Sequence, residues 1–352
     1  MTNTETAMAQ QTDQRARASS SDDGARRRRP WLAQMITRPE AGGVLSALAV
    51  FLFFAITAGK SGFLSPLGTA YWLDTAASLG IIAIPVAMLM IAGEFDLSVG
   101  SMVGAASIIV AICTGYYGFE PWVGVGFALL AAIFVGLMNG LIVVRTRLPS
   151  FIVTLATMFM VKGAALGISI GITGSSSISA VASGSSQFVF ASKWYEFNIA
   201  LIHWVLIAAI AIYVMQRTPF GNWVYATGGN LDTARLAGVP TNRVKIILFL
   251  STAIGAAFVG TMETYTFQNG SVTLGAQYVF SGIAAAVIGG ILLTGGYGSL
   301  LGTVFGAMTY GIVSMGVFFL GWNSELTELF IGLLLLLAVL ANARLRQLAM
   351  GR

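Results

Sequence analysis

Long apolar runs dominate this sequence and restrict it to one class of fold. A helix rises 1.5 Å per residue and therefore needs about 17 or more apolar residues to cross about 30 Å of hydrocarbon. Ten runs approach or exceed that length, near 43–59, 76–93, 99–115, 121–144, 151–171, 198–215, 245–268, 278–293, 299–320 and 326–343. The sequence therefore predicts an all-α polytopic membrane protein with about ten transmembrane helices.

The overall composition supports the same fold class. Hydrophobic residues make up 56% of the chain and charged residues 9%, and the mean hydropathy is +0.82. That leaves too little polar surface to cover a soluble globule of 352 residues. The net charge of +5 comes from Lys and Arg that gather at the ends of apolar runs. Membrane topology explains such a charge distribution, so no nucleic-acid partner is expected.

The basic residues between the runs predict the orientation in the membrane. Arg145, Arg147 and the polar island 216–245 fall in segments on one side, whereas the segments on the other side hold only Lys60 and Lys193. Positive charge accumulates in cytoplasmic loops. The distribution therefore predicts that both termini lie in the cytoplasm.

The chain divides into three predicted parts. Residues 1–40 are polar and contain four consecutive arginines at 26–29, which predicts a disordered basic cytosolic tail beside anionic lipid, and no removable leader is expected. Residues 41–345 form the predicted transmembrane domain, within which 216–245 is a cytosolic loop. Residues 346–352 form a second predicted cytosolic tail.

The polar island 216–245 is predicted to contain a folded element. Residues 230–237 favour one short helix, which Asn230 is placed to cap and Gly238 to end. The residues expected to make this helix amphipathic are Leu231, Ala234 and Leu236. A small helix tethered at both ends to membrane spans is suited to receive a push from a soluble partner.

Two carboxylates lie between the second and third apolar runs, in the string GEFDLSVG at 93–100. A charged group at the centre of a membrane helix costs about 2.5–3.5 kcal/mol and normally faces a cavity, a pore or a partner. Asp96 or Ser98 is placed to cap a helix that starts at Val99. The string is equally typical of an inward-facing break between helices and of a plain cytosolic turn.

Glycines spaced four residues apart predict close helix packing. The pairs are Gly100 and Gly104, Gly136 and Gly140, Gly163 and Gly167, and the series is Gly298, Gly302 and Gly306. Small residues at this spacing form a flat stripe that lets two helix backbones approach each other.

No enzymatic, nucleotide or metal site is predicted. The chain has one histidine, His203, and one cysteine, Cys113, which leaves neither a metal cluster nor a Ser–His–Asp arrangement. Residues 59–61, GKS, imitate the end of a phosphate-binding loop, but Phe54 stands where its first glycine belongs. We therefore expect no catalytic residue, no metal and no cofactor in this chain.

Several strings, in order, resemble one known family. They are GEFDLSVG at 93–100, NGL at 139–141, LPSFIVTL at 148–155, GNWVYATGGNLDTARLAGV at 221–239 and GTME at 260–263. Together they are similar to the permease subunits of bacterial ABC sugar importers, the ribose-permease family, over about residues 75–340. Glu94 departs from the commonest form of the first string.

The resemblance implies both a function and a set of functional residues. It implies a multi-pass subunit of the bacterial inner membrane that moves a monosaccharide or related polyol into the cytoplasm. The implied partners are cytosolic ATPase subunits that carry ATP and Mg, a periplasmic or lipid-anchored sugar-binding protein, a second permease copy and membrane lipids. The residues assigned to ATPase coupling are Gly228, Gly229, Asn230, Asp232, Arg235, Leu236 and Gly238. Those assigned to the translocation path or gate are Glu94, Asp96, Ser98, Asn139, Thr154, Thr157 and Glu263.

Two other functional classes stay open at this point. One is an ion-coupled secondary transporter of a small polar solute, with Glu94, Asp96, Lys162 and Glu263 as a proton or sodium relay. The other is a membrane-embedded scaffold. Neighbouring genes for a P-loop ATPase and a secreted binding protein would favour the importer. The sequence does not identify the sugar, because in this design the binding protein does most of the selecting.

Overall fold

The structure, a computed structural model, describes residues 40–349, and this part of the chain is mainly helical. Its helices are α1 (Ala41–Thr57), α2 (Pro66–Ile91), α3 (Val99–Ala111), α4 (Pro121–Thr146), α5 (Ser150–Thr173), α6 (Gly184–Ala191), α7 (Ala200–Arg217), α8 (Pro219–Gly229), α9 (Leu231–Leu236), α10 (Thr241–Phe267), α11 (Tyr278–Ile288), α12 (Leu300–Phe319) and α13 (Glu325–Ala349). A 3-10 turn covers Gly59–Ser61, and α3 continues as a π-helix over Ile112–Tyr116. Residues 1–39 of the predicted tail at 1–40, and residues 350–352, lie outside the described residues.

Four short strands form two antiparallel pairs at the ends of helices. They are β1 (Ser177–Ser179), β2 (Lys193–Trp194), β3 (Phe197–Asn198) and β4 (Asn269–Ser271). β1 pairs with β4, and β2 pairs with β3 as a tight hairpin. The predicted external stretch at 172–197 thus contains β1, α6 and part of this hairpin.

Each of the ten predicted apolar runs lies on a helix, and seven of the helices are long and apolar enough to cross a membrane. These are α2, α3 with its π-helical extension, α4, α5, α7, α10 and α12. The apolar helices α1 and α11 are shorter, with 17 and 11 residues. The described part of the chain is therefore a polytopic helical membrane fold in which seven helices are both long and apolar enough to span the bilayer.

α2 and α10 occupy the centre of this fold. α10 packs against α2, α3 and α4, while α2 also contacts α7, α11 and α12. Residues 79–92, which form the second half of α2 and the residue that follows it, are all buried. A helix that is apolar on all sides is typical of such a central position. The two helices are therefore placed to transmit movement between the elements around them.

The predicted glycine stripes pack closely except on α5. A Cβ added at Gly136 or Gly140 of α4 would lie 2.9 Å or 3.0 Å from backbone atoms of α10. In contrast, a Cβ added at Gly163 or Gly167 of α5 would meet nothing within 4 Å. The prediction of tight packing is wrong for α5, because this helix lies at the edge of the described fold with most of its surface uncovered.

The polar island contains two helices, α8 and α9, where the sequence analysis predicted one. The predicted helix is α9: Asn230 Oδ1 accepts a hydrogen bond from the Thr233 N–H at 2.9 Å, as expected for its cap. Gly238 follows it with φ +81°, the left-handed conformation in which glycine ends helices. α8 was missed, although Pro219 at its first position is a recognised start signal.

Glycines join the island to two other segments, at a contact that we call the glycine junction: Gly93, Gly228, Gly229, Gly295 and Gly296. The Gly296 N–H donates a hydrogen bond to the Ile91 carbonyl at 2.8 Å. A Cβ added at Gly228 would lie 1.8 Å from the same carbonyl oxygen and 2.7 Å from the Gly296 nitrogen. The ends of α2 and α8 and the loop after α11 are therefore in direct backbone contact.

The adjacent glycines of α8 provide a matched test of this junction. We expect Gly228→Ala to lower the free energy of unfolding by about 1–3 kcal/mol or more, because the methyl group must displace backbone. Gly229→Ala should be neutral or slightly stabilising, since its Cβ would meet nothing within 4 Å. Thermal unfolding of both full-length variants in detergent measures the difference, and equal transition midpoints would contradict the packing described.

Candidate functional site

Five of the seven residues assigned to the path or gate meet in one buried hydrogen-bond network, which we call the Asp96 cluster. Its members are Asp96, Ser98, Asn139, Ser150, Thr154, Thr157 and Thr252. They belong to the loop between α2 and α3 and to helices α4, α5 and α10. Each of these side chains is buried. The loop that carries the carboxylate is therefore held by three helices at once.

Three donors surround the Asp96 carboxylate. Its Oδ1 accepts hydrogen bonds from the Ser98 backbone N–H at 2.9 Å and from the Ser98 hydroxyl at 2.6 Å. Its Oδ2 accepts from the Thr252 hydroxyl of α10 at 2.6 Å. A polar group that is only 1% exposed needs such partners to be tolerated. Sequence reasoning missed Thr252, because a single threonine in an apolar run gives no pattern signal.

The same network continues into α4 and α5. The Asn139 side-chain amide donates to the Ser98 hydroxyl at 2.9 Å, and the Thr157 hydroxyl donates to Asn139 Oδ1 at 2.7 Å. The Thr154 hydroxyl accepts from the Leu97 N–H at 3.1 Å. These bonds satisfy both ends of the buried Asn139 amide and tie the backbone of the loop to α5. The arrangement fixes the position of the loop and contains several hydroxyl groups.

The hydrogen bonds at the start of α3 differ from those of the predicted helix cap. The helix begins at Val99 as expected, with Ser98 at the N-cap position. The Ser98 side chain caps nothing, and Asp96 accepts from the N–H of Ser98, two residues on. This is the geometry of an Asx-type turn, so the Asp96 carboxylate stabilises the loop and not the first turn of the helix.

Glu94 lies outside the cluster and forms an ion pair with Lys245 of α10, and each side chain is 12% exposed. Lys245 and Thr252 are seven residues apart on α10 and therefore share one face, since two helical turns span about seven residues. Both contact the loop between α2 and α3. α10 thus holds this loop through two contacts, the Lys245–Glu94 ion pair and the hydrogen bond from Thr252 to Asp96. The sequence did not reveal this pairing because the partners are far apart along the chain.

Glu263 is not part of this network. It lies 11 residues beyond Thr252 on α10, which corresponds to about 16 Å along the helix axis. It is 8% exposed, accepts a hydrogen bond from the Tyr278 hydroxyl and lines a separate polar cavity. The Asp96 cluster and Glu263 are therefore separate sites along α10.

A comparison with known protein families identifies the family to which this chain belongs. The sequence matches the family described as "Branched-chain amino acid transport system / permease component" over residues 68–339. This range includes the Asp96 cluster, the glycine junction, the island and the cavity. The chain belongs to this permease family. It is thus a multi-pass membrane permease component.

Several relatives of the permease carry names of sugar import proteins. The fructose import permease protein of Rhizobium meliloti is 32% identical over 311 residues, which covers 87% of this chain and 85% of the relative. The ribose import permease protein of Bacillus subtilis is 28% identical, covering 86% and 94%. The xylose transport system permease protein of Escherichia coli K12 is 28% identical, covering 84% and 89%. No solved structure matches the chain.

The residues assigned to ATPase coupling divide into exposed and packed groups in the permease. Leu236 is 91% exposed and the Asp232 side chain 90% exposed on α9. Of the residues expected to make α9 amphipathic, Ala234 is buried and Leu236 is exposed. Arg235 is also exposed, at 38%, although its Nε donates to the Thr241 hydroxyl at 3.3 Å. Gly228 is the packed member, because it lies in the glycine junction.

Proposed function

We propose that this permease is the membrane-spanning subunit of an ATP-binding-cassette importer, which moves a monosaccharide or related polyol across the bacterial inner membrane into the cytoplasm. The observation that carries the proposal is the similarity to the fructose import permease protein over 87% of this chain. The ribose and xylose permease proteins align over comparable lengths. The family description names branched-chain amino acids, whereas these relatives are named for sugars. The proposal follows the relatives, because they align with most of this chain.

The proposal includes the partners of such an importer. Cytosolic ATPase subunits bind ATP and Mg and dock on the island, a periplasmic or lipid-anchored binding protein delivers the sugar, and a second permease copy completes the path within the lipid bilayer. ATP hydrolysis takes place on the ATPase subunits, and the permease itself is not an enzyme. Leu236 is 91% exposed on α9, so its side chain is accessible to a partner that docks on the island.

The proposed topology has ten spans with both termini in the cytoplasm. Seven helices are both long and apolar enough to span the bilayer. The remaining three apolar runs coincide with α1, α11 and α13. The positive-inside rule supports the orientation, since the loops that carry Arg145, Arg147 and the island then face the cytoplasm. Helices shorter than a full span cross where the local bilayer thins or neighbouring helices cover their ends.

The structure suggests how a push on the island reaches the path. The Arg235–Thr241 hydrogen bond ties α9 to the start of α10. α10 then carries the displacement to the loop between α2 and α3 through the Lys245–Glu94 ion pair and the Thr252–Asp96 hydrogen bond. Rigid helices with specific polar contacts can couple two sites in this way. We assign the Asp96 cluster to the gate that this movement opens and closes.

The ion-coupled alternative has weaker support. A proton relay needs a chain of titratable partners within the membrane. Lys162 is exposed on α5, Glu94 is paired with Lys245, and Glu263 lies about 16 Å along α10 from the Asp96 cluster. Within the described part of the chain, Asp96 receives its hydrogen bonds from hydroxyl groups and backbone. These groups hold the carboxylate in place, and none of them is a titratable partner of the kind that such a relay uses.

Replacement of the exposed leucine of α9 tests the function. We expect Leu236→Asp to reduce both co-purification of the ATPase and ATP-driven uptake of radiolabelled D-fructose, D-ribose or D-xylose by about tenfold or more, as for the loss of an interface anchor. Leu148→Asp is the matched control, because Leu148 is an exposed leucine of another predicted cytosolic loop. Normal co-purification and uptake in the Leu236 variant would contradict the docking site. Uptake that continues after ATP depletion but stops when an uncoupler is added would contradict the proposal of an ATP-driven importer.

A further inference from the structure

A polar cavity of about 380 Å³ lies between α2, α10, the start of α11 and the β2–β3 hairpin. Its polar lining includes Asp74, Ser78, Lys193, Glu263, Thr266 and Gln277. Asp74 and Glu263 lie within membrane-spanning helices. Intramembrane carboxylates are costly and normally face a cavity through which something passes. The mechanism of gating described above uses none of these groups.

The cavity presents hydrogen-bonding groups that the protein does not fully use. Asp74 Oδ1 accepts from the Asn198 backbone N–H at 3.2 Å, which fixes the carboxylate against the hairpin. Glu263 is oriented by the Tyr278 hydroxyl. A carboxylate has about four acceptor positions, so Asp74 and Glu263 can each accept further hydrogen bonds from a polar group in the cavity.

The charge and size of the cavity define the class of ligand. Two carboxylates and one ammonium group leave a negative balance, which disfavours anions such as sugar phosphates or sugar acids. Carboxylates accept hydrogen bonds from hydroxyl groups, and the Gln277 amide both donates and accepts. Tyr71 and Phe267 add aromatic surface to the lining. Small-molecule sites of about 300–1,000 Å³ combine apolar walls with a few oriented polar groups in this way.

We propose that this cavity is a substrate site of the permease that holds one uncharged monosaccharide through the carboxylates of Asp74 and Glu263. The proposal rests on the proposed function as a sugar importer and names a site for its cargo. Lys193 belongs to the predicted external stretch, so the cavity faces the side from which a binding protein delivers sugar. The Asp96 cluster lies about 16 Å further along α10. The cavity is thus an entry site that a sugar occupies before it reaches the gate.

Protection of an introduced thiol tests occupancy directly and without ATP. In right-side-out membrane vesicles, full-length Thr75→Cys in a Cys113→Ala background is labelled with a membrane-impermeant thiol reagent. Thr75 lines the cavity, is partly exposed and has nearly the size of cysteine, so the thiol should react while the proposed ligand groups stay in place. We expect millimolar D-fructose, D-ribose or D-xylose to slow the labelling about threefold or more, as for a site mostly filled by ligand. Glu196→Cys is the matched control, because Glu196 is exposed on the same hairpin and does not line the cavity.

The carboxylates provide the second arm of the test. In the Thr75→Cys protein, Glu263→Gln or Asp74→Asn should raise the sugar concentration needed for protection about tenfold, the usual effect of weakening a hydrogen bond to a charged group. Equal slowing at Glu196→Cys, or protection by sodium or acid without sugar, would overturn the site. No protection by any of the three sugars would also overturn it. If ATP-driven sugar uptake is intact in that case, only the site is wrong, whereas loss of both would refute the proposed function.

Discussion

Asp96→Leu is expected to abolish transport and to lower the free energy of unfolding by about 2–6 kcal/mol. The substitution leaves the Ser98 N–H and the Ser98 hydroxyl without their acceptor, and each buried unpaired donor costs about 1–3 kcal/mol. It also removes the contact between the loop and Thr252 of α10. Uptake by proteoliposomes that contain the full complex measures the first effect, and thermal unfolding of the permease measures the second.

Asp96→Asn is the informative control, and we expect it to retain substantial ATP-driven uptake. The amide oxygen can accept both hydrogen bonds from Ser98. The amide nitrogen can donate to the Thr252 hydroxyl oxygen. The Thr252 hydroxyl can still donate its own hydrogen to the Phe249 carbonyl, at 2.8 Å. Every polar group of the network then has a partner without a negative charge. An inactive Asn variant that still assembles and hydrolyses ATP would show that the charge itself is needed, and would revive the ion-relay hypothesis.

Lys245→Met is expected to destabilise the permease by about 3–5 kcal/mol, the usual cost of leaving one partner of a buried ion pair uncompensated. Glu94 would remain with its side chain 12% exposed and its charge unpaired. Because this pair joins α10 to the loop between α2 and α3, uptake should fall together with stability. Thermal unfolding and transport assays on the same preparation measure both effects.

A charge exchange separates the ion pair from other roles of its two residues. Glu94→Lys and Lys245→Glu should each be damaging alone, whereas the double variant should recover part of the lost stability, as expected for residues coupled to each other. Arg243→Met is the control for the loss of a basic residue at the start of α10, because Arg243 is exposed. A double variant that is as unstable as the sum of the single ones would contradict a direct pairing.

The membrane class, the positions of the helices and the permease family could be predicted from local sequence. Each apolar run near the length of a bilayer core has few alternatives to a helix, because unpaired backbone groups are too costly in lipid. Likewise, Asn230 as the cap of α9 and Gly238 as its end follow from interactions within one turn of the chain. Predictions of this kind succeeded because all the interacting groups are neighbours in sequence.

The tertiary structure alone decided which polar residues act together. Sequence reasoning selected Asp96, Asn139 and Thr157 as separate candidates, but only the packing of α4, α5 and α10 brings them into one network with Thr252. It also placed Glu263 in a different site and turned Leu236 outward. The physical reason is that helix rotation and contact depend on complementary shapes and hydrogen-bond partners of distant segments, which no periodicity within one segment records.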